Sequence, residues 1–448
     1  DVDYGDLIDY FGEDEKTDSI LLYIESITRA RKFMTAARAF ARTKPIVAYK
    51  AGRFPESARA AASHTGAMAA EDAVYDAAFH RIGISRIFDI GDIFDCAELI
   101  GKNRVPRGPR LGIITNAGGP GVMASDTLLS HKGELAHLSE DTMAQLNEIL
   151  PPIWSHGNPV DVLGDARSKR IVKTTEIVLQ DKNVDAVLII LTPQAMTDPT
   201  KIASVIYPLA EKYKKPLLAA WLGGRKMKEG IQILNDNGIS TYETPEQAVR
   251  AFMTLVDYSR NLESLYETPE DIPVEFTLDR KKIREHFDSL IGKDKDMLFE
   301  EVSKKLLEAY GIPTSAPQAA KTAEEAVKVA GKTGFPVVMK IFSPDIIHKT
   351  DVGGVTLDLQ NERMVREAFE RMLSGVRASK PKARINGVFI QKMIKEKNSI
   401  EMILGIKKDP VFGTVLMVGS GGITAELFKD YALGFPPLNE NLVSRMLE

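Results

Sequence analysis

The sequence predicts an α/β protein in which two doubly wound parallel-sheet domains are followed by an α+β domain. At roughly 100–200 residues per domain, a chain of 448 residues has room for two to four domains. Over most of the first 263 residues, short apolar and β-branched runs alternate with helical periodicity, which favours parallel sheets covered on both faces. From about residue 297, strands follow one another directly and helices are grouped separately, which is typical of an α+β domain.

The composition excludes several classes of protein. The chain carries 58 Lys and Arg against 62 Asp and Glu, a net charge of −4, which argues against a nucleic-acid binder with a basic face or tail. No apolar run is long enough to cross a bilayer, so we expect no membrane partner. The single cysteine, Cys96, excludes an internal disulfide and a cysteine-based metal cluster, and it fits a cytoplasmic, reducing environment. Because Cys96 lies inside a helical pattern, we expect it in the core.

The first predicted domain covers residues 1–105. Its strands are short β-branched runs, and its helices have apolar residues on one side only. The predicted strands are 20–24, 45–49 and 85–88, and the predicted helices are 29–42 and 69–82.

The second predicted domain covers residues 106–263 and follows a Pro- and Arg-rich linker at 104–110. Residues 264–296 are charged and interrupted by proline without a strong period, so we expect a second linker there. The elements predicted in this domain are strands at 111–115, 186–191 and 217–222 and a helix at 245–262.

The third predicted domain covers residues 297–448. An amphipathic pattern at 442–448 stops in mid-period and the chain begins with Asp1, so we expect a fragment, a processed chain or one piece of a larger enzyme. On that expectation the third domain is incomplete at its C-terminus. Its predicted helices are 299–310, 323–331 and 361–374, and its predicted strands are 336–340, 354–359, 387–391, 399–406 and 413–418.

Two residues of the first domain are candidates for covalent chemistry. His64 lies among small residues between a predicted strand and a predicted helix, and histidine can form covalent intermediates. The first N–H groups of that helix could bind an anion. Glu25 ends a predicted strand, where it could hydrogen-bond one ring nitrogen of His64 and raise the basicity of the other. From spacing alone, a surface or capping histidine and a solvated loop glutamate are the commoner outcomes.

A glycine-rich turn at 116–121 follows a predicted strand and opens a helix. Gly118 and Gly119, with Pro120 near the first helical position, would leave backbone N–H groups available to hold a phosphate. The turn lacks the Gly-Lys-Ser/Thr ending of a Walker A motif, which excludes a P-loop. A tight strand–helix turn without a ligand fits the same residues equally well.

The third domain has the densest group of candidates. Lys340 closes an apolar strand, where its ammonium could neutralise nucleotide phosphates. Lys349, Gly353 and Gly354 belong to a loop whose backbone can approach an anion closely. His348 precedes them in the same loop. The coincidence of these features favours a nucleotide site over a charged surface hairpin.

A further set of candidates lies later in the third domain. Gln391, Lys392 and Met393 at a strand end could give a purine hydrogen bonds and an apolar wall. Carboxylates beyond them could reach Mg²⁺, which prefers oxygen ligands and nucleotide phosphates. Any one of these residues alone is more often part of a solvated sheet edge. The carboxylates are Glu401 for the nucleotide site and Glu426 and Asp430 for the metal.

Taken together, these residues resemble the nucleoside-diphosphate-forming acyl-CoA synthetases, the superfamily of ADP-forming acetate–CoA ligase and succinyl-CoA synthetase. The resemblance runs along almost the whole chain in the family's domain order. It implies two flavodoxin-like domains followed by an ATP-grasp domain. The matching segments are 1–8, 23–25, 44–52, 63–66, 116–121, 158–161, 311–313, 336–340 and 348–355.

The resemblance implies a phosphoryl relay. An acyl-CoA and phosphate give an acyl phosphate and CoA, and the phosphoryl group then passes to a histidine and on to ADP, making ATP. His64 matches the family's phosphohistidine, and Glu25 matches the carboxylate that orients it. His348 matches a second histidine that, in acetate-type enzymes, shuttles the phosphoryl group between two distant sites. The implied substrates are a carboxylic acid, CoA, phosphate and ATP or ADP, with Mg²⁺ as cofactor.

Family members usually begin with a CoA-binding Rossmann domain, and their ATP-grasp half usually ends with a Mg²⁺-binding segment. The resemblance in this sequence includes neither part. We therefore expect a homo-oligomer, or a partner chain or domain that supplies the Rossmann domain, and full turnover only in that larger assembly. The alternative is a non-catalytic, synthetase-like regulatory domain of a protein lysine acyltransferase. Such a sensor would be expected to lose its histidines, so His64 and His348 favour the enzyme. No motif encodes which carboxylic acid is used.

Overall fold

Two compact units make up the protein: Asp1–Glu270 together with Glu401–Glu448, and Asp271–Ile400. The division at residue 400 cuts through the region that the sequence predicts as one α+β domain, 297–448. The computed structural model describes residues 2–54, 56–57, 71–102, 105–266, 280–290, 300–346, 348–395, 398–422 and 430–447.

The first unit begins with a three-stranded parallel sheet between helices. Its elements are α1 (Tyr4–Glu13), β1 (Ile20–Ile24), α2 (Ala30–Phe40), β2 (Ile46–Lys50), α3 (Asp72–Ile82), β3 (Ser85–Ile87) and α4 (Gly91–Lys102). The strand order is β1-β2-β3. Successive strand residues point to opposite faces, so one face packs on α1, α2 and α3 and the other on α4. Strand β2 is covered on both faces, whereas β1 alternates between buried and exposed residues, with Leu21 36% and Tyr23 50% exposed.

A larger parallel sheet follows in the same unit. Its elements are β4 (Arg110–Thr115), α5 (Gly118–Ser130), β5 (Glu134–Leu135), α6 (Glu140–Ile149), β6 (Val160–Asp161), α7 (Ser168–Gln180), β7 (Ala186–Leu191), α8 (Pro199–Lys212), β8 (Leu217–Trp221), α9 (Lys228–Asp236), β9 (Ser240–Tyr242) and α10 (Pro245–Tyr266). The order is β5-β4-β7-β8-β9, with β6 also paired to β4. The chain therefore changes direction across the sheet at β4, which in open α/β sheets is the usual place for a ligand.

The second unit contains a four-stranded antiparallel sheet in the order β10-β13-β11-β12. Val337, Met339 and Ile341 alternate along the central strand and pack under two helices that cover one face of the sheet. The elements are α11 (Arg280–Leu290), α12 (Glu300–Ala309), β10 (Gln318–Ala320), α13 (Ala323–Thr333), β11 (Val337–Phe342), β12 (Val355–Leu359), α14 (Glu362–Ser379) and β13 (Gly387–Lys392). The covering helices are α13 and α14.

The first unit ends with a second antiparallel sheet, β14 (Met402–Asp409), β15 (Gly413–Ser420) and β16 (Tyr431–Gly434), followed by helix α15 (Glu440–Leu447). The turn between β14 and β15 is held by Asp409, which accepts hydrogen bonds from the backbone N–H groups of Val411 and Phe412 at 2.8 and 2.9 Å. Phe412 meets Tyr75 of α3 edge to face, with ring centroids 5.1 Å apart. This apolar contact explains why the last segment packs in the first unit.

The predicted fold class is confirmed, because parallel sheets in α/β domains precede an antiparallel region. Strand β11 continues to Phe342 instead of closing at Lys340, since Ile341 and Phe342 still pair with β13. The stretch 264–296, predicted as a linker, contains helix α11, which buries Ile283. Within the described ranges, no helix has both the length and the apolar character that a bilayer crossing requires.

Candidate functional site

The carboxyl edge of the first parallel sheet carries opposite charges on neighbouring strands. Glu25 directly follows β1 and is half-buried, and Lys50 ends β2 beside Ile24. Lys50 is only 4% exposed; its Nζ donates to the Ala51 carbonyl and lies 4.5 Å from the centre of the Tyr75 ring. Burial lowers the pKa of Lys50, and the nearby carboxylates of Asp72 and Glu25 partly oppose that effect. A buried ammonium at this edge gives a fixed positive charge beside Glu25.

The third strand adds another cation to this edge. The Arg86 side chain, 5% exposed, contacts Asp72 at 2.5 Å and Asp76 at 3.2 Å, both on α3. The Arg53 guanidinium lies 4.4 Å from the centre of the Phe88 ring. Neither Lys50 nor Arg86 is predicted as a site residue from the sequence. The available signal was a charged residue within or closing an apolar strand, which becomes informative only once the strands are seen to be parallel neighbours.

His64 lies outside the described residues. In the chain it belongs to the connection between β2 and α3, which leaves the sheet after Lys50 at the edge that carries Glu25. The geometry between His64 and Glu25 therefore stays a prediction. The described residues show that this edge carries charges of both signs: Lys50 and Arg86 on the strands, with carboxylates of Glu25, Asp72 and Asp76 close to them.

At the edge of the second parallel sheet, the Asp161 carboxylate lies beside Gly118, 3.6 Å from where a Cβ on that glycine would stand, and the loops are joined by neutral hydrogen bonds. Gly118 and Gly119 are the first residues of α5 and are exposed, and the preceding residue, Ala117, gives the helix no side-chain cap. Asn116, 2% exposed, donates from Nδ2 to the Thr192 carbonyl at 2.9 Å and accepts from the Thr192 N–H at 2.8 Å. These bonds join the loops after β4 and β7 at the point where the strand order reverses. Because no side chain caps the first N–H groups of α5, they are available to a phosphate, and phosphate binding here stays a prediction.

In the second unit, the loop between β11 and β12 presents His348 at the surface. Gly353 has a positive φ of 66°, and a Cβ on Gly354 would lie 2.6 Å from the Cγ2 of Ile341. The N–H of Gly354 donates to the carbonyl of Lys349 at 2.7 Å, so the loop closes on itself immediately before β12. Glycine is thus required at both positions for the backbone to turn so tightly. The imidazole of His348 is therefore exposed on a loop that is held closed by a backbone hydrogen bond just before β12.

The sheet face opposite α13 and α14 brings together two predicted nucleotide residues. Lys340 and Gln391 lie on this face, and α12 reaches both of them. Lys340 Nζ is 2.8 Å from Oε1 of Glu300, and Lys304 Nζ is 3.4 Å from Oε1 of Gln391. Glu300 and Lys304 are not predicted from the sequence, where their spacing is that of an ordinary solvated helix pair.

The segment after Gln391 leaves the sheet. Lys392 ends β13 and is exposed, and the N–H of Met393, which is half-buried, donates to the Pro336 carbonyl at 3.0 Å. The three predicted purine contacts are therefore consecutive but differ in burial, and only Gln391 is held within the face by the lysine of α12.

The remaining predicted carboxylates belong to the first unit. The Glu401 carbonyl accepts from the N–H of Gly421 at 2.7 Å, and the carboxylate of Asp430, which is exposed, accepts from Ser420 Oγ at 2.6 Å. Glu426 lies outside the described residues. Across the described ranges, no three His, Cys, Asp or Glu side chains are grouped to hold a metal ion. Mg²⁺ commonly takes only one or two protein carboxylates along with phosphate oxygens, so Asp430 fits such a role and cannot fill it alone.

Three family models match the chain in succession. A succinyl-CoA ligase-like flavodoxin domain matches residues 1–100, a ligase-CoA domain matches 111–265 and an ATP-grasp domain matches 289–448. The order of the matches agrees with the order of the parallel and antiparallel sheets along the chain.

Curated relatives are similar over the same length. Acetate–CoA ligase [ADP-forming] I of Archaeoglobus fulgidus is 38% identical over 446 residues, which are 100% of this chain and 63% of the relative. In Pyrococcus furiosus the similarity is divided between two chains of acetate–CoA ligase [ADP-forming] II. Its α subunit is 36% identical over 266 residues, 58% of each chain, and its β subunit is 34% identical over 160 residues, 36% of this chain and 67% of the subunit. This chain therefore joins in one polypeptide regions that are separate subunits there.

A solved structure shares the fold over more than half of the chain. The dinucleotide-forming acetyl-coenzyme A synthetase 1 of Ca. Korarchaeum cryptofilum, in complex with phosphate and ADP, superposes with a TM-score of 0.56 at 34% identity, covering 59% of this chain and 58% of that one. Because its three domain types occur in the family's order and its similarity to the curated relatives spans its whole length, the chain belongs to the nucleoside-diphosphate-forming acyl-CoA synthetase family, which includes the ADP-forming acetate–CoA ligases.

Proposed function

We propose that this chain carries the phosphoryl-transfer part of an ADP-forming acyl-CoA synthetase. The observation that carries the proposal is the uninterrupted similarity to ADP-forming acetate–CoA ligase over 446 residues. The chain spans 63% of that relative, so the complete reaction belongs to the whole enzyme. That reaction interconverts acyl-CoA, ADP and phosphate with a carboxylic acid, CoA and ATP.

The first half of the reaction uses the charged edge of the first sheet. A phosphate oxygen attacks the thioester carbonyl, CoA leaves as the thiol, and an acyl phosphate remains. A ring nitrogen of His64 then takes the phosphoryl group and the carboxylate leaves. Glu25 accepts a hydrogen bond from the other ring nitrogen, which keeps the attacking nitrogen unprotonated. Lys50, a buried cation next to Glu25, stabilises the negatively charged oxygens of phosphate and of the transferred phosphoryl group at this edge.

The second half uses the second unit. His348, exposed on its glycine-closed loop, receives the phosphoryl group from His64 and passes it to the terminal oxygen of ADP. Phosphoryl transfer depends mainly on positioning and charge neutralisation, which Lys340 and Lys349 and the tight glycine turn provide. The residues assigned to nucleotide and phosphate are Lys340, Lys349, Gly353, Gly354, Gln391, Lys392, Met393 and Glu401, with Gly118 and Gly119 assigned to phosphate in the second parallel sheet.

Other components follow from the same proposal. Mg²⁺ would neutralise the charge of the nucleotide phosphates, with Asp430 and Glu426 as its protein ligands. The proposal also includes a homo-oligomer, or a partner chain or domain that supplies the CoA-binding Rossmann domain. We place the protein in the cytoplasm, where nucleotides and CoA are available, and leave the carboxylic acid open.

The test is transfer of label from [γ-³²P]ATP in the presence of Mg²⁺. We expect the wild-type chain to take up an acid-labile, alkali-stable label, as a phosphohistidine does. The double variant His64→Ala, His348→Ala should take up none, and His348→Ala alone should leave His64 unlabelled because the shuttle is broken. His131→Ala is the control, since His131 is exposed on another helix end and hydrogen-bonds the Thr127 carbonyl at 2.9 Å.

Label in the double variant would contradict the relay. An intact enzyme, with the Rossmann domain and the Mg²⁺-binding segment present, that binds ATP but takes up no label would favour the regulatory alternative. His131→Ala labelled like wild type, together with an unlabelled double variant, supports the enzyme.

A further inference from the structure

Two lysines of the second unit share one carboxylate oxygen. Lys340 Nζ from β11 is 2.8 Å from Oε1 of Glu300, and Lys304 Nζ from α12 is 2.9 Å from the same atom. All three side chains are mostly buried, with 23%, 19% and 21% exposure for Lys340, Lys304 and Glu300. Because one acceptor atom holds both nitrogens, the two ammonium groups lie close enough to contact a single phosphoryl group together.

Further bonds fix the position of Lys304. Its Nζ is 2.9 Å from the Ser315 carbonyl and 3.3 Å from Ser315 Oγ, and it reaches Oε1 of Gln391 at 3.4 Å. Gln391 is only 8% exposed. The pair is therefore tied to α12, to the segment before β10, and to the two central strands β11 and β13, so it cannot drift without breaking several bonds.

The negative charge of Glu300 is needed to hold the two lysine ammonium groups close together. Burial disfavours the charged form of Glu300, but hydrogen bonds from Lys340 and Lys304 outweigh that effect and lower its pKa, so it is ionised at neutral pH. Two ammonium groups at this separation repel each other in a poorly solvated site. Without the negative charge between them, the lysine side chains would gain free energy by turning apart toward water.

We propose that Glu300 is a positioning residue that holds Lys340 and Lys304 as a paired clamp for the phosphates of a nucleoside diphosphate or triphosphate. The proposal rests on the proposed function, which puts the nucleotide on this face of the sheet. It adds two residues, Glu300 and Lys304, to the site, and it assigns Glu300 a role exerted through the lysines. The carboxylate itself repels phosphate and makes no contact with it.

The helix offers a matched control. Glu301, the next residue, pairs with Lys305 at 2.7 Å with the same spacing of four positions. Those two side chains are 38% and 62% exposed, and their contact belongs to the solvated side of α12. Glu301→Gln therefore removes the same kind of ion pair, with the same change of charge, from the same helix without altering the clamp.

The experiment measures ADP and adenosine binding to the full chain by calorimetric titration, with adenosine measured by competition. We expect Glu300→Gln to weaken ADP binding at least tenfold and Glu301→Gln to change it less than twofold. Glu300→Asp keeps the carboxylate on a shorter stem and should recover part of the affinity. Adenosine, which has no phosphate, should bind all four proteins equally, because Glu300 acts only on the groups that meet phosphate.

The outcomes separate this inference from the proposed function. If the wild-type chain does not bind ADP, the proposed function fails and the clamp fails with it. If the wild type binds ADP and Glu300→Gln binds it equally well, only the clamp is overturned. If Glu300→Gln weakens adenosine and ADP alike, Glu300 supports the fold of the whole site and the clamp is again overturned. Should Glu300→Gln not fold, Glu300→Asp against Glu301→Gln decides by the same criteria.

Discussion

The two parallel sheets of the first unit have similar cores and different carboxyl edges. Both pack helices against two faces, although β1, at one side of the first sheet, leaves alternate residues exposed. At the edge of the second sheet, Asn116 and Thr192 pair through neutral hydrogen bonds. At the edge of the first sheet, Glu25 and Lys50 occupy neighbouring strand ends, and Lys50 is buried with its pKa lowered by that burial.

The difference between the two edges predicts which substitutions affect stability and which affect phosphoryl transfer. Neutral, satisfied hydrogen bonds contribute to stability and are expensive to break, because a buried donor or acceptor left alone keeps its desolvation cost. A buried charge contributes little or is unfavourable for folding, but it can stabilise anionic groups. We therefore expect substitutions at the second edge to affect stability, and substitutions at the first edge to affect phosphoryl transfer.

The largest effect on stability is expected from Asn116→Ala at the second edge. The substitution leaves both the N–H and the carbonyl of Thr192 without their partner, at a cost of about 2 kcal/mol in the free energy of unfolding. Urea-induced unfolding followed by circular dichroism measures it. Asn237→Ala is the control, because Asn237 is exposed and caps only its own helix end, through the Ile233 carbonyl. Equal effects of the two substitutions would remove the distinction between the edges.

A smaller effect on stability, with a large effect on function, is expected from Lys50→Met. The folded state holds the Lys50 proton less tightly than the unfolded chain does, since burial lowers its pKa. In wild type, this group therefore adds stability as the pH rises from the lowered pKa toward the ordinary value of 10.5, and Lys50→Met should lose that rise.

At neutral pH we expect Lys50→Met to change the free energy of unfolding by less than about 1 kcal/mol. The label from [γ-³²P]ATP on His64 should fall at least tenfold, because the cation beside Glu25 is gone. A variant that is strongly destabilised but labelled normally would reverse the roles assigned to the two edges.

The smallest effect is expected for the reactivity of Cys96, which lies in α4 and packs on one face of the first sheet. Its thiol is 1% exposed, packs against Val47, Ile87 and Ile93, and has its pKa raised to about 12 by burial. Ellman's reagent at pH 8 should therefore find no reactive thiol in the native protein and one after denaturation. Rapid reaction in the native state would mean that the core of the first sheet opens, and that its chemistry is not confined to the edge.

Local patterns were sufficient for the central elements. The strands Ile20–Ile24 and Ala186–Leu191 are observed with the predicted bounds, because each is an unbroken apolar run. Ala186–Leu191 is buried at every position, whereas Ile20–Ile24 is buried at alternate positions. Short strands such as Glu134–Leu135 are not predicted, since two residues show no period. The end of β11 was misplaced because Lys340 resembles a boundary, whereas pairing with β13 carries the strand on to Phe342.

Some residues of the candidate site could likewise be predicted from local patterns, and others could not. The sequence predicts His348, Gly353 and Gly354 on one loop, and the structure places them together there, with both glycines required by the tight turn. Lys50 and Arg86 could not, because a charged residue at the end of or inside a strand has no meaning until the neighbouring strands are known.

The order of sheets, the apolar cores and the family were all determined by the sequence, since hydrophobic periodicity and short motifs are local properties of the chain. Only the tertiary structure decided that Glu300 reaches Lys340, 40 positions away, and that the segment from Glu401 onward packs with α3. The physical reason is that an ion pair or an aromatic contact depends on which faces meet after folding. Local periodicity specifies each face and leaves its partner undetermined.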